Sequence, residues 1–494
     1  MYQSNTKPYD HQKKIGPKLH DESAFALLMD MGTGKSKVIV DEFGEAVDRD
    51  EIDDLLLIAP AGSYLNWPDE LKEHMDPRVY KWLVIGVWQS GKSKKPIEAL
   101  LKANPDRPRV LIVNIEAFGS VALAKQVCLK FLADRRVMTV VDESTAIKNG
   151  RAKRTKFVLM LRDLSVRRRI LTGLPTPNSP LDIYSQFEFL DPDILGYPDF
   201  ISFRARHATM KTIKTGRVVK KWNKIKRCVE YVAEEVDVVT GYRFLDHIQK
   251  RIAPHSYRVL KKDCLDLPPQ VYEPYYIELT AEQKRLYKEI RENATAQLAG
   301  GTYVNATRVI TQMIRLHQIL CGFVTDELGN IKPVPSYRLN RMMELIGDAG
   351  DQKIIIWCSF DYSIRQIAAA LTKEYGKEAV AMFWGGNKST RHLDEARFKE
   401  DSRCRFICST PGAGGKGNTW TQASLTIYYS NSFNLEHRLQ SEDRPHRIGQ
   451  TANSCTYIDL WARKTIEDKQ IEALRRKMNL ASAITGDNWR TWLI

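Results

Sequence analysis

Short apolar runs recur along the chain, and turn residues or charges bound each of them. Because these runs lack the polar alternation of a half-solvated strand, we expect strands that are buried on both faces. Stretches with helical spacing separate the runs, such as EFGEAVDRDE and YSIRQIAAALTKEY. Alternation of strand and helix predicts an α/β chain with two lobes, each built on a parallel sheet covered by helices. The runs are LLLIAP (55–60), VLIVNI (110–115), VMTVVDE (137–143), RILTG (169–173), KIIIWCS (353–359), AVAMFW (379–384), RFICS (405–409), LTIYYS (425–430) and TYIDLW (456–461).

The middle of the chain has a different character. LTAEQKRLYKEIRENATAQLA (279–299) and ATRVITQMIRLHQILCGF (306–323) have the spacing of amphipathic helices, and strand signals there are few. The pattern therefore predicts three parts: a first lobe over 1–190, a helical and basic middle region over 191–335, and a second lobe over 336–494.

Composition supports packed domains. The 494 residues include 43% hydrophobic residues, which argues against intrinsic disorder. The chain has no apolar run of membrane-spanning length and no apolar signal core near its start, so we expect a cytoplasmic protein. The eight cysteines are scattered without a CxxC pair, which favours buried, reduced thiols over a metal site.

Charge is concentrated in two segments. The net charge is +15, and residues 211–228 contain eight Lys or Arg and no acid, with Trp222 among them. Residues 151–169 contain eight Lys or Arg and one acid. A solvated face is the simpler interpretation of such runs, but their imbalance favours contact with a phosphate backbone. The nucleic-acid candidates from this pattern are Lys211, Lys214, Arg217, Lys220, Lys221, Trp222 and Lys224.

The segment MDMGTGKSKVIV (29–40) predicts a phosphate-binding loop. Gly32 and Gly34 allow a tight turn that brings backbone N–H groups to the start of a helix, where anions bind. Lys35 adds a point charge for the β- and γ-phosphates, and the Ser36 hydroxyl is placed to bind Mg²⁺. The strict pattern has Gly where this chain has Met29. The predicted nucleotide-binding positions are Met31, Gly32, Thr33, Gly34, Lys35 and Ser36.

A pair of carboxylates follows another predicted strand in VMTVVDES (137–144). Asp142 is expected to hold Mg²⁺ through water, and Glu143 to orient or deprotonate the water that attacks the γ-phosphate. Acids after a strand often serve only as helix caps. Their occurrence downstream of the phosphate-binding loop favours the functional interpretation.

Two arginines in QSEDRPHRIGQ (440–450) suit a phosphoryl group in transfer. Arg444 and Arg447 are three residues apart, so a helix would place both guanidinium groups on one face. Planar guanidinium groups match the charge spread over that group. Because they come from the other lobe, the complete site would form only when the lobes close.

Two further loops follow predicted strands. LTGLPTPNS (171–179), with Thr172, Gly173 and Asn178, is either a γ-phosphate sensor or a plain surface loop. STPGAGGKGNTW (409–420) is glycine-rich but lacks the Ser or Thr that would follow a phosphate-binding lysine. It is interpreted as a loop at the lobe interface that contacts DNA.

Together these motifs resemble helicase superfamily two, and within it the Swi/Snf family of DNA translocases. The resemblance extends from about residue 7 to 467 and is closest to minimal bacterial or bacteriophage forms, without appended chromatin-reading modules. Its motifs are DMGTGKS, LLLIAPAGSYLNWPDEL, VDEST in place of DEAH or DEGH, LTGLPTPNS, YRVLKKDCLDLPPQ, IRLHQILCGF and QSEDRPHRIGQT.

The resemblance implies two RecA-like lobes that clamp ATP and Mg²⁺, with duplex or branched DNA lying across both. It implies an ATP hydrolase whose catalytic residues are Lys35, Glu143, Gln440, Arg444 and Arg447, with Ser36 and Asp142 at the metal. Gln12, in KPYDHQ, resembles the adenine-reading glutamine. Gly417 joins the nucleotide-binding residues, and Asn114, Thr172 and Ser409 join the nucleic-acid candidates.

Three functions are therefore compared. The first is a double-stranded DNA translocase that remodels DNA junctions or protein–DNA complexes. The second is a helicase that separates DNA or RNA strands, for which the sequence pattern reveals no wedge or hairpin. The third is a non-catalytic DNA-binding adaptor with a degenerate ATPase core, which the intact motif residues argue against.

Overall fold

Each of the nine apolar runs contains a β-strand in the computed structural model of the chain. The structure describes residues 1–91, 94–133, 135–223, 228–299, 306–326, 328–414 and 418–487. Two predicted site residues, Lys224 and Gly417, lie outside the described residues. Lys214, Arg217 and Lys221 are described in their backbone alone.

The strands are numbered in chain order. They are β1 (Ala24–Met29), β2 (Asp54–Ala59), β3 (Val84–Val87), β4 (Arg109–Asn114), β5 (Val137–Asp142), β6 (Arg167–Leu171), β7 (Ala208–Asn223), β8 (Cys228–Tyr242), β9 (Ser256–Val259), β10 (Gln270–Tyr276), β11 (Phe323–Thr325), β12 (Ile331–Pro333), β13 (Ile354–Trp357), β14 (Val380–Phe383), β15 (Phe406–Ser409), β16 (Leu425–Tyr428) and β17 (Cys455–Trp461).

The α-helices are numbered in the same way. They are α1 (Asp10–Asp21), α2 (Lys35–Asp48), α3 (Trp67–His74), α4 (Pro77–Trp82), α5 (Lys94–Leu101), α6 (Ala117–Ser120), α7 (Ala122–Leu132), α8 (Lys153–Met160), α9 (Ile183–Leu190), α10 (Pro192–Leu195), α11 (Phe200–His207), α12 (Leu245–Ile252), α13 (Lys261–Cys264), α14 (Ala281–Ala299), α15 (Ala306–Leu320), α16 (Arg338–Asp348), α17 (Asp361–Tyr375), α18 (Arg391–Glu400), α19 (Pro411–Gly414), α20 (Leu435–Glu442) and α21 (Ile466–Thr485).

The first lobe is built on a seven-stranded parallel sheet in the order β3-β4-β2-β5-β6-β1-β9. Strands β1 and β2 are buried along their whole length, and helices cover both faces of the sheet. In a parallel sheet the carboxyl ends of neighbouring strands meet at one edge. The residues after β1, β5 and β6 therefore converge.

The second lobe is built on a six-stranded parallel sheet in the order β10-β17-β16-β13-β15-β14. Apolar side chains pack on its two faces in separate clusters. Two parallel sheets covered by helices confirm the predicted fold class. The exact limits of the three predicted parts remain a prediction. Of the strands in the middle part, β9 belongs to the sheet of the first lobe and β10 to the sheet of the second.

The sequence pattern predicts a helical middle region, but this region also contains strands. Strands β7 and β8 form a long antiparallel hairpin, which is a separate two-stranded sheet. Polar and apolar residues do not alternate cleanly along these strands, since much of the hairpin is exposed on both faces. The rule that finds buried strands therefore does not detect it.

Helix α21 connects the two lobes. Leu474 and Met478 pack against Leu174 of the first lobe and Leu435 of the second. Near the end of the helix, Ile484 lies in the core of the first lobe. Helix α21 thus contributes to the packing of both lobes.

Part of the basic segment 151–169 lies inside the first lobe. Arg169 is fully buried and forms an ion pair with Glu42, at 2.6 Å, and Arg167 is paired with Glu51. Arg169 thus pairs with a buried carboxylate, and Arg167 with a partly exposed one. The interpretation of this segment as a phosphate-binding surface is therefore wrong for its last residues.

Six of the cysteines are buried free thiols, as predicted, whereas Cys228 at the start of β8 is exposed. Among the described residues, no helix is both long and apolar enough to cross a membrane.

Candidate active site

The loop between β1 and α2 forms an anion cradle. Gly34 caps helix α2 in the left-handed region, with φ of 81°, and as a glycine it offers no side chain to cap the N–H groups of the first turn. A Cβ atom at Gly34 would lie 2.2 Å from Nε2 of Gln12, so glycine is required there for space as well as for conformation. Exposed N–H groups and the positive end of the helix dipole make this loop suited to phosphate.

The Lys35 side chain lies in this cradle. Its ammonium donates hydrogen bonds to the carbonyls of Met29, at 2.9 Å, and Asp30, at 3.1 Å. Burial lowers the pKa of Lys35, while the carboxylates of Glu143 and Asp142 act in the opposite direction. The lysine and the two predicted carboxylates are therefore close enough to interact.

The two carboxylates lie at the carboxyl end of β5. Asp142 accepts hydrogen bonds from the Trp67 indole, at 3.2 Å, and from the Glu143 backbone N–H, at 2.9 Å. Burial raises the pKa of Asp142, and the Lys35 charge opposes that shift. Glu143 has a φ of 46°, a left-handed conformation that non-glycine residues rarely adopt and that clusters at functional sites.

The donor set fits Mg²⁺. Ser36 is the second residue of α2, and its hydroxyl belongs to the same cradle as Lys35. A hydroxyl and a nearby carboxylate, that of Asp142, are hard oxygen ligands of the kind that Mg²⁺ binds together with water and phosphate. Sequence reasoning missed Trp67, which holds this carboxylate and lies in the quoted LNWPDEL segment.

Gln12 packs against the cradle from helix α1. Its amide donates to the carbonyls of Thr33 and Gly34, both at 3.3 Å, and its own oxygen accepts from the Tyr9 backbone, at 2.9 Å. This places the predicted adenine-reading residue at the nucleotide-binding loop. Its role in recognising a base stays a prediction.

The two predicted arginines do not lie on a helix. Helix α20 ends at Glu442, and Pro445 follows, a residue that cannot continue a helix. The prediction that helical spacing aligns Arg444 and Arg447 is therefore wrong. The turn over 443–450 nevertheless directs both towards the same loop of the first lobe.

Contacts across the lobes establish that arrangement. The Arg444 guanidinium lies 3.9 Å from the sulfur of Met31, and a Cβ at Gly32 would lie 3.7 Å from Cγ of Arg447. Burial lowers the pKa of Arg447 to about 10, although the Glu143 carboxylate opposes the shift. Burial likewise lowers the pKa of Arg444. The structure thus gathers Lys35, Asp142, Glu143, Arg444 and Arg447 at one site.

The segment 418–420 holds the arginines in place. Arg444 donates to the carbonyl of Asn418, and Arg447 donates to the Thr419 hydroxyl at 3.1 Å. Trp420 is fully buried, and its backbone N–H donates to the Arg444 carbonyl at 3.0 Å. This part of the glycine-rich loop, predicted to contact DNA, therefore has a positioning role at the lobe interface.

Sequence reasoning missed a further residue, Lys261, although its segment was quoted. The Lys261 ammonium forms an ion pair with Asp443 and donates to the carbonyl of His446 at 2.7 Å, both in the second lobe. Its backbone N–H donates to Asp30 at 3.1 Å, in the first lobe. Asp443 also binds Arg447, with 3.2 Å between Oδ2 and Nη2. Lys261 and Arg447 thus share one carboxylate.

The loop over 171–179 contacts the cradle. A Cβ at Gly173 would lie 3.3 Å from the Met29 carbonyl and 3.4 Å from the Met31 nitrogen, so the two loops approach closely. Behind them, the Ser144 hydroxyl donates to Gln186 at 2.6 Å, and Gln186 donates to the Pro175 carbonyl at 2.7 Å. The carboxylate loop and the 171–179 loop are therefore linked by one buried amide.

Several predicted residues are buried and bonded locally. Thr172 accepts the Leu174 N–H at 3.1 Å, and Ser409 donates to the Phe383 carbonyl at 2.6 Å. In this conformation neither hydroxyl faces a surface where nucleic acid could contact it, because both residues are buried. Gln440 is also buried, and its amide donates to Glu436 at 3.2 Å.

The remaining nucleic-acid candidates lie apart from the site. Asn114 ends strand β4 and is partly exposed at the same sheet edge as Asp142. Lys211, Lys220 and Trp222 are exposed along β7. The structure therefore does not bring the whole candidate set together.

Two family models match the chain. Residues 13–323 match the family model described as SNF2-related domain, and residues 337–449 match the model described as helicase conserved C-terminal domain.

Individual relatives are more distant. The chain is 26% identical over 400 residues to TATA-binding protein-associated factor mot1 of Schizosaccharomyces pombe, which covers 70% of this chain and 19% of that protein. It is 25% identical over 476 residues to an uncharacterized ATP-dependent helicase of Mycoplasma pneumoniae, covering 95% of this chain and 40% of that protein. The chain thus spans between about a fifth and two fifths of these relatives' length.

A solved structure also matches. It is the SWI2/SNF2 ATPase core of Sulfolobus solfataricus in complex with dsDNA, with 24% sequence identity and a TM-score of 0.42. The match covers 98% of this chain and 95% of that chain.

Proposed function

The chain belongs to the SNF2-related family of DNA-dependent ATPases in helicase superfamily two, and on this premise we propose that it is an ATP-driven motor that translocates along double-stranded DNA. Movement along the duplex would remodel DNA junctions or displace proteins from DNA. The observation that carries the proposal is the meeting of Lys35 and Glu143 of the first lobe with Arg444 and Arg447 of the second.

Each side chain has a role in hydrolysis. The N–H groups at the start of α2 and the Lys35 ammonium bind the β- and γ-phosphates of ATP. Ser36 and Asp142 would hold Mg²⁺, and the bound ion would neutralise charge at the phosphates. Glu143 orients the attacking water and accepts its proton. Arg444 and Arg447 stabilise the negative charge that the γ-phosphoryl group carries in transfer.

Coupling to movement follows from the origin of these groups. Because the arginines belong to the second lobe, the transition state is fully stabilised only when the lobes are closed. Hydrolysis and product release then remove the bridge between the lobes. A closing and opening cycle of this kind, on a bound duplex, is the requirement for a translocase.

The test compares how strongly different nucleic acids stimulate ATP hydrolysis. Phosphate release is measured without nucleic acid and with single-stranded DNA, duplex DNA, branched DNA or RNA. The translocase predicts strongest stimulation by duplex or branched DNA and ATP-dependent displacement of a third strand from a triplex. Hydrolysis that no DNA stimulates would refute the proposal, and an absence of all hydrolysis would favour a DNA-binding adaptor.

A second function, strand separation, is favoured by the β7–β8 hairpin. Helicases need an element that stands between the two strands, and an exposed hairpin is of that kind. A strand-displacement assay on a forked duplex distinguishes the two functions, because a translocase leaves the two strands of its track paired.

The lysines of the hairpin provide a prediction about DNA affinity. Replacing Lys211, Lys214 and Lys221 with alanine should weaken binding equally for all duplex sequences. Every phosphate that the variant no longer neutralises should reduce the slope of log affinity against log salt by about 0.9. Fluorescence anisotropy over a salt series measures this slope.

The matched control removes three other lysines, Lys250, Lys288 and Lys469, whose side chains are highly exposed on helices elsewhere. Its slope should stay that of the original protein. An unchanged slope in the hairpin variant would assign the segment to ordinary solvated surface.

Lys261 provides a prediction about the lobe interface. The Lys261→Met substitution removes the ammonium but keeps the length of the side chain, and it leaves Asp443 without its partner from the first lobe. Removing one member of a buried ion pair at an interface costs about 2–5 kcal/mol. We therefore expect DNA-stimulated kcat/KM to fall, with nucleotide affinity less affected.

A double-mutant cycle with Asp443→Asn isolates the pair. Because Asp443 also binds Arg447, the double variant should be little worse than Asp443→Asn alone. Lys262→Met, at the exposed neighbouring position, is the control and should be active. Strictly additive losses would contradict the link between Lys261 and Asp443.

A further inference from the structure

The β7–β8 hairpin carries an apolar surface near its tip that the proposed motor does not use. Lys220 pairs with Tyr231 and Trp222 pairs with Val229. Directly opposed residues lie on the same face of a ladder, as do residues two apart along a strand. These four side chains therefore share one face, which we name the tip face.

The tip face is exposed to an unusual degree. Trp222 is 59% exposed, Val229 52% and Tyr231 67%. Large apolar side chains grouped on a surface mark a binding site more often than isolated ones do. The Lys220 ammonium lies 5.6 Å from the centre of the Tyr231 ring, so an aromatic face and a positive charge are presented together.

The base of the hairpin is fixed to the first lobe. Ala208 is buried in the lobe core, and Met210 and Tyr242 pack against that core. From Met210 the strand continues to Asn223. At about 3.3 Å per residue, the tip reaches roughly 40 Å from its anchored base. The tip face thus stands well away from the base of the hairpin, which is fixed in the first lobe.

Charge indicates what kind of partner the tip binds. From 217 to 232 the chain carries six Lys or Arg and a single Glu. A polyanion complements this charge, and flat aromatic rings complement the π-faces of nucleobases. In a duplex the bases are stacked on one another and their faces are covered. The combination therefore matches unpaired nucleic acid more closely than a duplex.

We propose that the tip face binds unpaired nucleobases of single-stranded DNA where it leaves a duplex. Trp222 and Tyr231 are diagonal neighbours across the ladder, about 7–8 Å apart. Each exposed ring offers a face on which an unpaired base can stack, and the Lys220 ammonium beside Tyr231 contacts a phosphate of the same strand. The proposal rests on the proposed function, because the duplex beside this strand is the track of the motor.

The test uses the full chain with the Trp222→Ala and Tyr231→Ala substitutions. Their binding to fluorescein-labelled single-stranded DNA, forked duplex and blunt duplex of equal length is measured by anisotropy. Loss of one stacked base should weaken binding to single-stranded and forked DNA by about tenfold. Blunt-duplex affinity should fall by much less than this, and Trp222→Phe should retain binding to single-stranded and forked DNA.

The control is Trp82→Ala, since Trp82 is 58% exposed on helix α4 and lies outside the hairpin. It should bind all three DNAs as the original protein does. Equal affinity of Trp222→Ala and the original protein for forked DNA would overturn the proposal. So would a change of oligomeric state in Trp222→Ala without loss of DNA binding, because the tip face would then join two copies of the chain.

The two proposals fail in different ways. If duplex DNA does not stimulate hydrolysis by the original protein, the motor function is refuted. If it does, and the tip variants still bind forked DNA normally, only the assignment of the tip face is refuted.

Discussion

Lys35→Ala should reduce DNA-stimulated ATP hydrolysis to the background level. The Lys35 ammonium lies in the phosphate cradle, where it donates to the carbonyls of Met29 and Asp30. The Lys261 side chain also approaches this loop, but its ammonium is paired with Asp443. Loss of one preorganised positive group at a phosphoryl site costs at least about 10²–10³ in rate. Here the same group also binds the ground-state phosphates, so nucleotide affinity should fall with the rate.

Phosphate release and the binding of a fluorescent ATP analogue separate these two losses. Glu143→Gln should retain binding of the analogue and lose hydrolysis, because its amide cannot accept the proton of the water. The control is Lys13→Ala, which removes an exposed lysine of helix α1 next to Gln12, the residue that contacts the cradle. Full hydrolysis in Lys35→Ala, with an unchanged thermal melt, would eliminate the mechanism.

Arg447→Ala should have the other large effect, a fall in kcat of about 10³–10⁵. The guanidinium acts on charge that develops in the transition state, so KM for ATP should change much less. Arg447→Lys keeps the charge but loses the planar guanidinium group, so its kcat should lie between those of the original protein and Arg447→Ala.

Arg403→Ala is the matched control, since Arg403 is a highly exposed arginine of the second lobe. Single-turnover hydrolysis and steady-state kinetics on duplex DNA give the required rates. Normal hydrolysis by Arg447→Ala would mean that the second lobe does not complete the site, and the proposed coupling of hydrolysis to closure would be wrong.

Sequence analysis found strands whose buried surroundings require apolar residues at nearly every position. A strand such as β2 or β13 is buried on both faces, so its sequence is a continuous apolar run. Strands β9 and β10 lie at sheet edges, and β10 contains Pro274, which is tolerated at an edge. Partial exposure weakens their patterns, and this is why they were missed.

The site residues likewise divide into those that local sequence motifs predict and those that depend on contacts between distant parts of the chain. Lys35, Asp142 and Glu143 were predicted because each follows a buried strand at a spacing that short motifs record. Lys261 was missed because its partner, Asp443, is far away in the chain and becomes a neighbour only through the docking of the lobes. The structure brings the two arginines to the predicted loop, but not through the expected helix, which ends at Glu442 before either of them.

The last helix determines how far the lobes can part. A helix of 20 residues is about 30 Å long and behaves as a stiff rod. Its Ile484 end is embedded in the first lobe, and beyond it Asp487 is paired with Arg258 at 2.8 Å. Extracting one such apolar side chain costs about 2–5 kcal/mol, so this end of the helix resists separation from the first lobe. We therefore expect any opening of the lobes to displace β14, at the opposite margin of the second sheet, more than the strands beside the helix.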